Sequence, residues 1–226
     1  MTRATSPRAE EFPVYTRAER VVDGAVHVIG LVAAVICAPV LVALAARWHG
    51  DVSTVTAAAV YAASLVAMFA ASAAYHLVTR ARGRWLLRRL DHAAIYVKIA
   101  GTYTPFAVLL AGERAPWILA GIWGAAACGV ALRLLVPGRF QWTTLGLYLA
   151  MGWAVVVVGG PILEAISTPA LVLVLTGGGL YTLGVVFHLW DGLPFQNAIW
   201  HALVLAASFV FYAAILTEVA RSAPAA

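Results

Sequence analysis

Histidines and other polar residues recur inside apolar stretches of this 226-residue sequence, and some are paired at helical spacing. Ser72 precedes His76 by four residues and Asn197 precedes His201 by four, so each pair lies on one face of a helix. The full set is His27, Ser72, His76, Asp91, His92, Asn197 and His201. Imidazoles and a carboxylate from several helices are ligands that zinc takes in proteins, often with a water in the fourth position. The pattern therefore predicts a metal site.

The same residues have a simpler interpretation. A single histidine near the end of an apolar helix is most often an interfacial residue or an interhelical hydrogen-bond partner. Four of the six histidines belong to the set, so both interpretations stay open. The depth of each residue depends on the helix that carries it.

The composition indicates the solvent around these helices. Apolar residues make up 63% of the chain and charged residues 11%, against about half and about a quarter in ordinary soluble domains. A soluble globular protein is excluded, because a folded soluble domain needs much more polar surface. The basic residues have no interleaved aromatic platform, so nucleic acid is not an expected partner. Cys37 and Cys128 lie in apolar runs and indicate neither a disulfide framework nor a CxxC metal site.

A membrane-spanning helix needs about 20 consecutive apolar residues, and seven such runs are predicted. They cover residues 22–46, 52–78, 93–111, 116–135, 140–158, 169–190 and 199–219. We therefore predict an all-α integral membrane protein, with a seven-transmembrane helix bundle over residues 21–219. Residues 1–20 are expected to form a polar cytoplasmic tail, since they lack the apolar region of a signal peptide. Residues 220–226 are expected to form a short external tail.

The basic residues are distributed unequally between the two ends of these spans. Eleven of the fifteen lie in the N-terminal tail and around the breaks after the second and fourth spans. Because cytoplasmic loops carry an excess of Lys and Arg, the N-terminus is predicted to be cytoplasmic and the C-terminus external. The polar set then lies near the cytoplasmic leaflet, where membrane lipid is the expected partner. No pattern indicates an oligomeric state.

Several ordered motifs resemble one family. They are SAAYH at 72–76, LDHAAIY at 90–96, AGTYTPF at 100–106, E-x3-D-x3-H-x2-G from Glu19, and LP at 193–194 followed by AIWH at 198–201. These blocks are similar to those of the bacterial hemolysin III proteins, which belong with the adiponectin and progestin receptors in the PAQR superfamily. The resemblance covers residues 19–219.

The resemblance implies a seven-helix protein of the bacterial inner or plasma membrane, with a zinc ion near the cytoplasmic leaflet. It assigns His76 and His201 as zinc ligands. It assigns Ser72 and Asp91 as the residues that position a water molecule.

Two positions depart from the family pattern at this site. Asn197 stands where the family has its remaining histidine ligand, and an amide is a poor zinc ligand compared with imidazole. Either a third ligand comes from Asp91, His92 or His27, or metal binds weakly or not at all. Asp23 stands where an asparagine is usual, a mild change at a helix start, where an acidic group suits the helix dipole.

Lys98 is a further departure, because the family usually has an apolar residue there. It follows Asp91 by seven residues, close to two helical turns, so the two side chains are expected in one groove. In one interpretation Lys98 is an electrostatic partner of Asp91 or of an anionic lipid headgroup. In the other its side chain extends to the cytoplasmic interface, about 9 Å away.

Two functional hypotheses follow. The resemblance implies a zinc-dependent lipid hydrolase, similar to ceramidases, that cleaves an amide or ester near headgroup depth, or a protein of membrane-lipid homeostasis. The alternative is a non-enzymatic membrane-perturbing or pore-forming cytolysin, the activity from which the family takes its name. Seven strongly apolar spans argue against a secreted toxin, since such a chain has no plausible soluble form.

Overall fold

A computed structural model describes residues 15–78, 83–136 and 141–224 of the chain. Within these ranges the regular structure is helical and includes no strand, which confirms the all-α prediction. The helices are α1 (Arg17–Trp48), α2 (Val52–Leu77), α3 (Arg84–Leu110), α4 (Ala115–Leu135), α5 (Gln141–Val158), α6 (Gly160–Ala165), α7 (Thr168–His188) and α8 (Gln196–Arg221). Most of the predicted N-terminal tail lies outside the described residues, as do Arg3, Arg8, Arg80, Arg82 and Arg139.

Six helices of the described chain are long and apolar enough to cross a membrane: α1, α2, α3, α4, α7 and α8. The predicted spans match them, although α3 begins at Arg84 instead of residue 93. Hydropathy misses this first part of α3 because it is rich in arginine, yet Arg and Leu are good helix formers. Gly83, in the left-handed region at φ 87°, immediately precedes the helix.

The remaining predicted span, residues 140–158, corresponds to α5, whose apolar part is shorter than that of the other six helices. The α-helix is interrupted at Gly159, which has φ −89° and ψ 19°, and α6 follows. Helical hydrogen bonds continue across this residue, from Gly159 N to Val155 O at 3.0 Å and from Leu163 N to Gly159 O at 2.8 Å. Together α5 and α6 form one nearly continuous helical segment.

The packing of α1 shows how the bundle is assembled. Its buried residues recur every three or four positions and form one stripe, which consists of Asp23, His27, Gly30, Ala34, Ala38, Leu41 and Ala45. This stripe packs against α2 and α8, while residues such as Val28 and Ile36 remain exposed on the other face. Since the first two members of the stripe are polar, the fold places an aspartate and a histidine between α1, α2 and α8.

α3 lies at the centre of the bundle. In an apolar stretch of 18 residues within α3, 61% of the residues are buried, compared with 28% in the corresponding stretch of α1. It contacts α2 and α4 extensively and also touches α5, α6 and α8. Residues on α3 therefore face the interior enclosed by the other helices.

Candidate metal centre

The start of α1 is fixed beside the start of α8 by Glu19. Thr16 caps α1, accepting a hydrogen bond from Glu19 N at 3.2 Å, while a Glu19 carboxylate oxygen accepts one from Thr16 N at 2.8 Å. The other oxygen, Oε1, accepts a hydrogen bond from the backbone N–H of Phe195 at 3.0 Å. This contact joins residues 176 positions apart in sequence. One and two turns further along the same face of α1 are Asp23 and His27.

Asp23 is the centre of a buried cluster with three histidines. Its Oδ1 lies 2.7 Å from His201 Nδ1. Its Oδ2 lies 3.2 Å from His76 Nδ1 and 3.5 Å from His27 Nε2. One ligand atom from each of the four residues lies within 4.8 Å of the others. Three helices, α1, α2 and α8, thus contribute to a single four-donor cluster.

The three imidazole rings pack directly on one another. The ring centroids of His27 and His76 are 4.5 Å apart in a stacked arrangement. Those of His27 and His201 are 4.3 Å apart, and those of His76 and His201 are 4.5 Å apart. Three mutually adjacent imidazoles beside one carboxylate form a compact set of nitrogen and oxygen donors.

The donor set fits a divalent transition metal. Zinc in catalytic sites takes three protein ligands of this kind, imidazole nitrogen and carboxylate oxygen in combination, and keeps a further position for water or substrate. His27 Nε2 is buried and has no hydrogen-bond partner among the described residues, although it lies near Asp23. A buried imidazole nitrogen without a hydrogen bond has a lone pair or an N–H unsatisfied, and metal ligation satisfies the lone pair.

Asn197 and Asp91 flank this cluster on two sides. Asn197 Nδ2 donates to Asp23 Oδ2 at 3.1 Å and lies 3.4 Å from His76 Nδ1. Asp91 Oδ2 lies 3.7 Å from His76 Nε2. The sequence-predicted residues His76, His201, Asn197, Asp91 and His27 are therefore brought together around Asp23.

The other predicted residues lie on the wall of an adjoining cavity. Ser72 is buried one turn before His76 on α2, and His92 lines the cavity but is not one of the four clustered donors. Lys98 is buried near the middle of α3, with its Nζ 2.8 Å from Thr102 Oγ1. Thr102 is one turn beyond Lys98, on the side away from Asp91. The Lys98 ammonium is thus directed along α3 away from the cluster.

The cavity has a volume of about 570 Å³, within the usual size range of small-molecule sites. At the end where α3 begins, its wall includes the histidines, Asp91 and the arginines Arg84, Arg88, Arg89 and Arg133. Towards the end where α3 finishes, its wall is apolar and includes Phe106, Ile162, Ile166 and Val174. The cavity is therefore amphipathic along its length.

Asp23 is the member of the cluster that sequence reasoning did not propose as a metal ligand. Its sequence position favours an interpretation based on the helix dipole, because the residue lies in the second turn of α1. A sharper signal was present in the spacing Glu19, Asp23, His27, which places three polar residues on one face of an otherwise apolar helix. A polar face of that kind points into the bundle.

The fold and this centre define a class: a multi-pass membrane protein of apolar helices with a buried histidine and aspartate cluster that can hold a metal ion. Residues 15–212 match the haemolysin-III related family, and the chain belongs to that family, as the motifs indicated. Hemolysin-3 of Bacillus cereus is 34% identical over 91% of this chain and 94% of its own. The Hemolysin-3 homolog of Bacillus subtilis is 30% identical over 90% and 95%. The human Monocyte to macrophage differentiation factor is 33% identical over 72% and 70%.

Proposed function

We propose that this protein is a metal-dependent lipid hydrolase that cleaves an amide- or ester-linked lipid at the cytoplasmic leaflet. The observation that carries the proposal is the four-donor cluster of Asp23, His27, His76 and His201 in contact with a large amphipathic cavity. Buried ionisable groups in a membrane protein are costly and mark functional sites. A cluster of four beside a lipid-sized cavity is best explained by chemistry on a lipid.

In this proposal Asp23, His27, His76 and His201 supply the ligands of a metal ion, expected to be zinc, which would need one position left open for water or substrate. The carboxylate of Asp23 and the imidazole of His27 take the place of the histidine ligand that the family has at position 197. A bound zinc ion supplies Lewis-acid polarisation of a carbonyl oxygen. Asn197 acts outside the ligand set, since its amide orients the Asp23 carboxylate through the 3.1 Å hydrogen bond.

Asp91 is the proposed general base. Its Oδ2 would accept a proton from the water that attacks the carbonyl carbon and pass it to the amine or alcohol that leaves when the C–N or C–O bond breaks. His76 Nε2 lies 3.7 Å from this oxygen and holds the carboxylate towards the cluster. The hydroxyl of Ser72, one turn before His76, positions that water. The apolar end of the cavity receives the acyl chain, while the end near the arginines receives the headgroup.

The proposal includes a topology. We propose that α5 and α6 together make the seventh crossing, which places the two termini on opposite sides of the membrane. The excess of Lys and Arg around the N-terminus then makes that end cytoplasmic and the C-terminus external. The near-continuous hydrogen bonding through Gly159 supports this count. Reporter fusions at the two termini test it: opposite sides are expected, and the same side for both termini contradicts it.

Metal content tests the ligand set. Elemental analysis of purified protein should give stoichiometric zinc for the wild type and for Asn197→His, and a strong loss for Asp23→Ala and for the double variant His76→Ala with His201→Ala. The matched control is His92→Ala, which removes an imidazole from the cavity wall outside the cluster and should retain metal. Wild-type protein without metal, or equal losses in His92→Ala and Asp23→Ala, contradicts the assignment.

Hydrolysis is tested separately. Purified protein in nanodiscs should release fatty acid from an amide- or ester-linked lipid, and Asp91→Asn should abolish release while metal content is unchanged. If metal is bound and no lipid from a panel of ceramides and phospholipids is cleaved, the hydrolase proposal fails although the metal site stands.

A second candidate is membrane perturbation, which the name hemolysin of the two Bacillus relatives favours. Conductance of purified protein in planar bilayers distinguishes the two. Stable unitary currents that survive Asp91→Asn support a pore, whereas a hydrolase gives none.

A further inference from the structure

Lys98 has surroundings that the proposed hydrolysis does not explain. Its side chain is buried, with 3% of the residue exposed, near the middle of α3 and about 10 Å along the helix from Asp91. Among the described residues, no carboxylate oxygen lies close enough to its Nζ to form an ion pair, for which the limit is 4.0 Å. A cation at this depth is costly and needs a partner.

The nearest groups leave the ammonium incompletely satisfied. Nζ donates to Thr102 Oγ1 at 2.8 Å, and the Thr102 hydroxyl in turn donates to the Lys98 carbonyl. The Tyr61 ring centroid is 4.9 Å from Nζ and that of Phe211 is 5.9 Å away, distances typical of cation–π contacts. An ammonium has three N–H donors and one is used, so two remain for an acceptor that the described residues do not provide.

The position of Lys98 on the cavity wall identifies the chemistry of that acceptor. The cavity beyond it is apolar, so the ligand carries a hydrocarbon chain. Lys98 brings one positive charge, and the Thr102 hydroxyl already donates its hydrogen bond to the Lys98 carbonyl. The site therefore matches a group with a single negative charge. A phosphate bears more charge and more acceptor oxygens than this site can pair, and arginines at the other end of the cavity suit it better.

We propose that Lys98 binds the carboxylate of a single-chain lipid, with the hydrocarbon chain in the apolar end of the cavity. The site is separate from the Asp23 cluster and requires no metal. The ligand is either a free fatty acid from the membrane or the acid released by the protein's own hydrolysis; the carboxylate chemistry is the same for both.

Binding of matched probes tests the proposal. The probes are a long-chain fatty acid, the alcohol of the same chain length, and acetate, measured by calorimetry on the full-length protein in detergent with a chelator present. The fatty acid should bind at least about tenfold more tightly than the alcohol, since a charge-assisted hydrogen bond contributes that much. Lys98→Met should bind both lipids with the affinity of the alcohol, and Lys98→Arg should retain the preference.

The control is His201→Ala, which disrupts the cluster and should leave the preference for the acid intact. Unchanged binding of the alcohol to Lys98→Met shows that the variant is folded. Equal affinity of the wild type for acid and alcohol overturns the proposal, as does a preference that persists in Lys98→Met and disappears in His201→Ala. Binding of acetate as tight as that of the fatty acid also overturns it, because the site is then a small-anion site only. The source of the fatty acid is identified by comparing wild-type and Asp91→Asn protein purified from cells. Fatty acid bound to Asp91→Asn comes from the membrane. Fatty acid bound to the wild type but absent from Asp91→Asn is the product of the protein's own hydrolysis.

Discussion

The hydrogen bond between Asn197 and Asp23 supports a quantitative prediction about metal affinity. Asn197→Ala removes the one side-chain donor that α8 offers to the Asp23 Oδ2, at 3.1 Å. A hydrogen bond to a charged group contributes about 1.5–3 kcal/mol. Because Asn197 is only partly buried and the distance is at the long end of the usual range, the lower limit of that contribution applies.

The expected result is a zinc affinity about tenfold weaker in Asn197→Ala than in the wild type, which corresponds to about 1.4 kcal/mol. Outer-shell partners of metal ligands typically contribute about 10- to 100-fold, so the two arguments agree. The assay is competition of the purified protein with a chromogenic chelator of known affinity. Stoichiometry should stay the same, since Asn197 is not itself a ligand.

Gln196 provides a matched control. It is the adjacent amide on α8, but its Nε2 donates to the backbone carbonyl of His188 instead of to the cluster. Gln196→Ala should therefore leave zinc affinity unchanged. The reasoning is refuted if Asn197→Ala binds zinc as tightly as the wild type, or if both alanine variants lose affinity equally.

Three further predictions concern the scaffold and are tested by thermal unfolding in detergent. Gly177→Ala should be less stable than Gly179→Ala by about 1–3 kcal/mol, because a Cβ at Gly177 lies 2.7 Å from the Phe211 ring and one at Gly179 meets nothing; equal melting temperatures contradict this close contact of α7 and α8. Glu218→Ala should lower the free energy of unfolding by about 2 kcal/mol, because this fully buried carboxylate accepts a backbone hydrogen bond at 2.9 Å from the start of α7. An unchanged stability in this variant excludes that role. Hydrogen bonds from the Ser53 hydroxyl and from the backbone N–H of Thr54 lower the pKa of Asp51 to about 2. A carboxylate with a lowered pKa stabilises the fold at any pH above its ordinary pKa of about 3.8, and this stabilisation is lost as the pH falls through the lowered pKa. The stability lost in Asp51→Asn should therefore be largest near neutral pH and vanish as the pH falls towards 2. A difference that does not depend on pH contradicts this prediction.

The helices could be predicted from sequence because lipid imposes a simple requirement. A spanning segment must satisfy its own backbone hydrogen bonds and expose apolar side chains, and both requirements are local. The prediction was least accurate where charge and helix propensity conflict, as at Arg84, the true start of α3. At α5 the predicted end of the span, residue 158, is correct, but the short helix α6 that follows Gly159 was not predicted.

The candidate site was only partly predictable because its contacts are not local. Both departures from the family pattern, Asp23 and Asn197, were visible in the sequence and were interpreted separately, one as a mild change and one as a lost ligand. The two side chains are hydrogen-bonded across 174 positions of sequence. Only the packing of α1 against α8, fixed by Glu19 and Phe195, brings them together, and helical periodicity within one segment contains no information about that pairing.

The buried charges differ in how completely the chain satisfies them, and this difference indicates where a ligand gains most. Asp23 has three imidazoles and an amide around it, so its charge is matched within the bundle. Lys98 has one hydroxyl and two aromatic rings, which attract a cation but do not neutralise it. In the apolar part of the cavity an anionic group therefore gains most at Lys98, because the four arginines lie at the other end. Under the proposed hydrolysis, the released acid would therefore have a second position to occupy at Lys98, deeper in the cavity than the cluster.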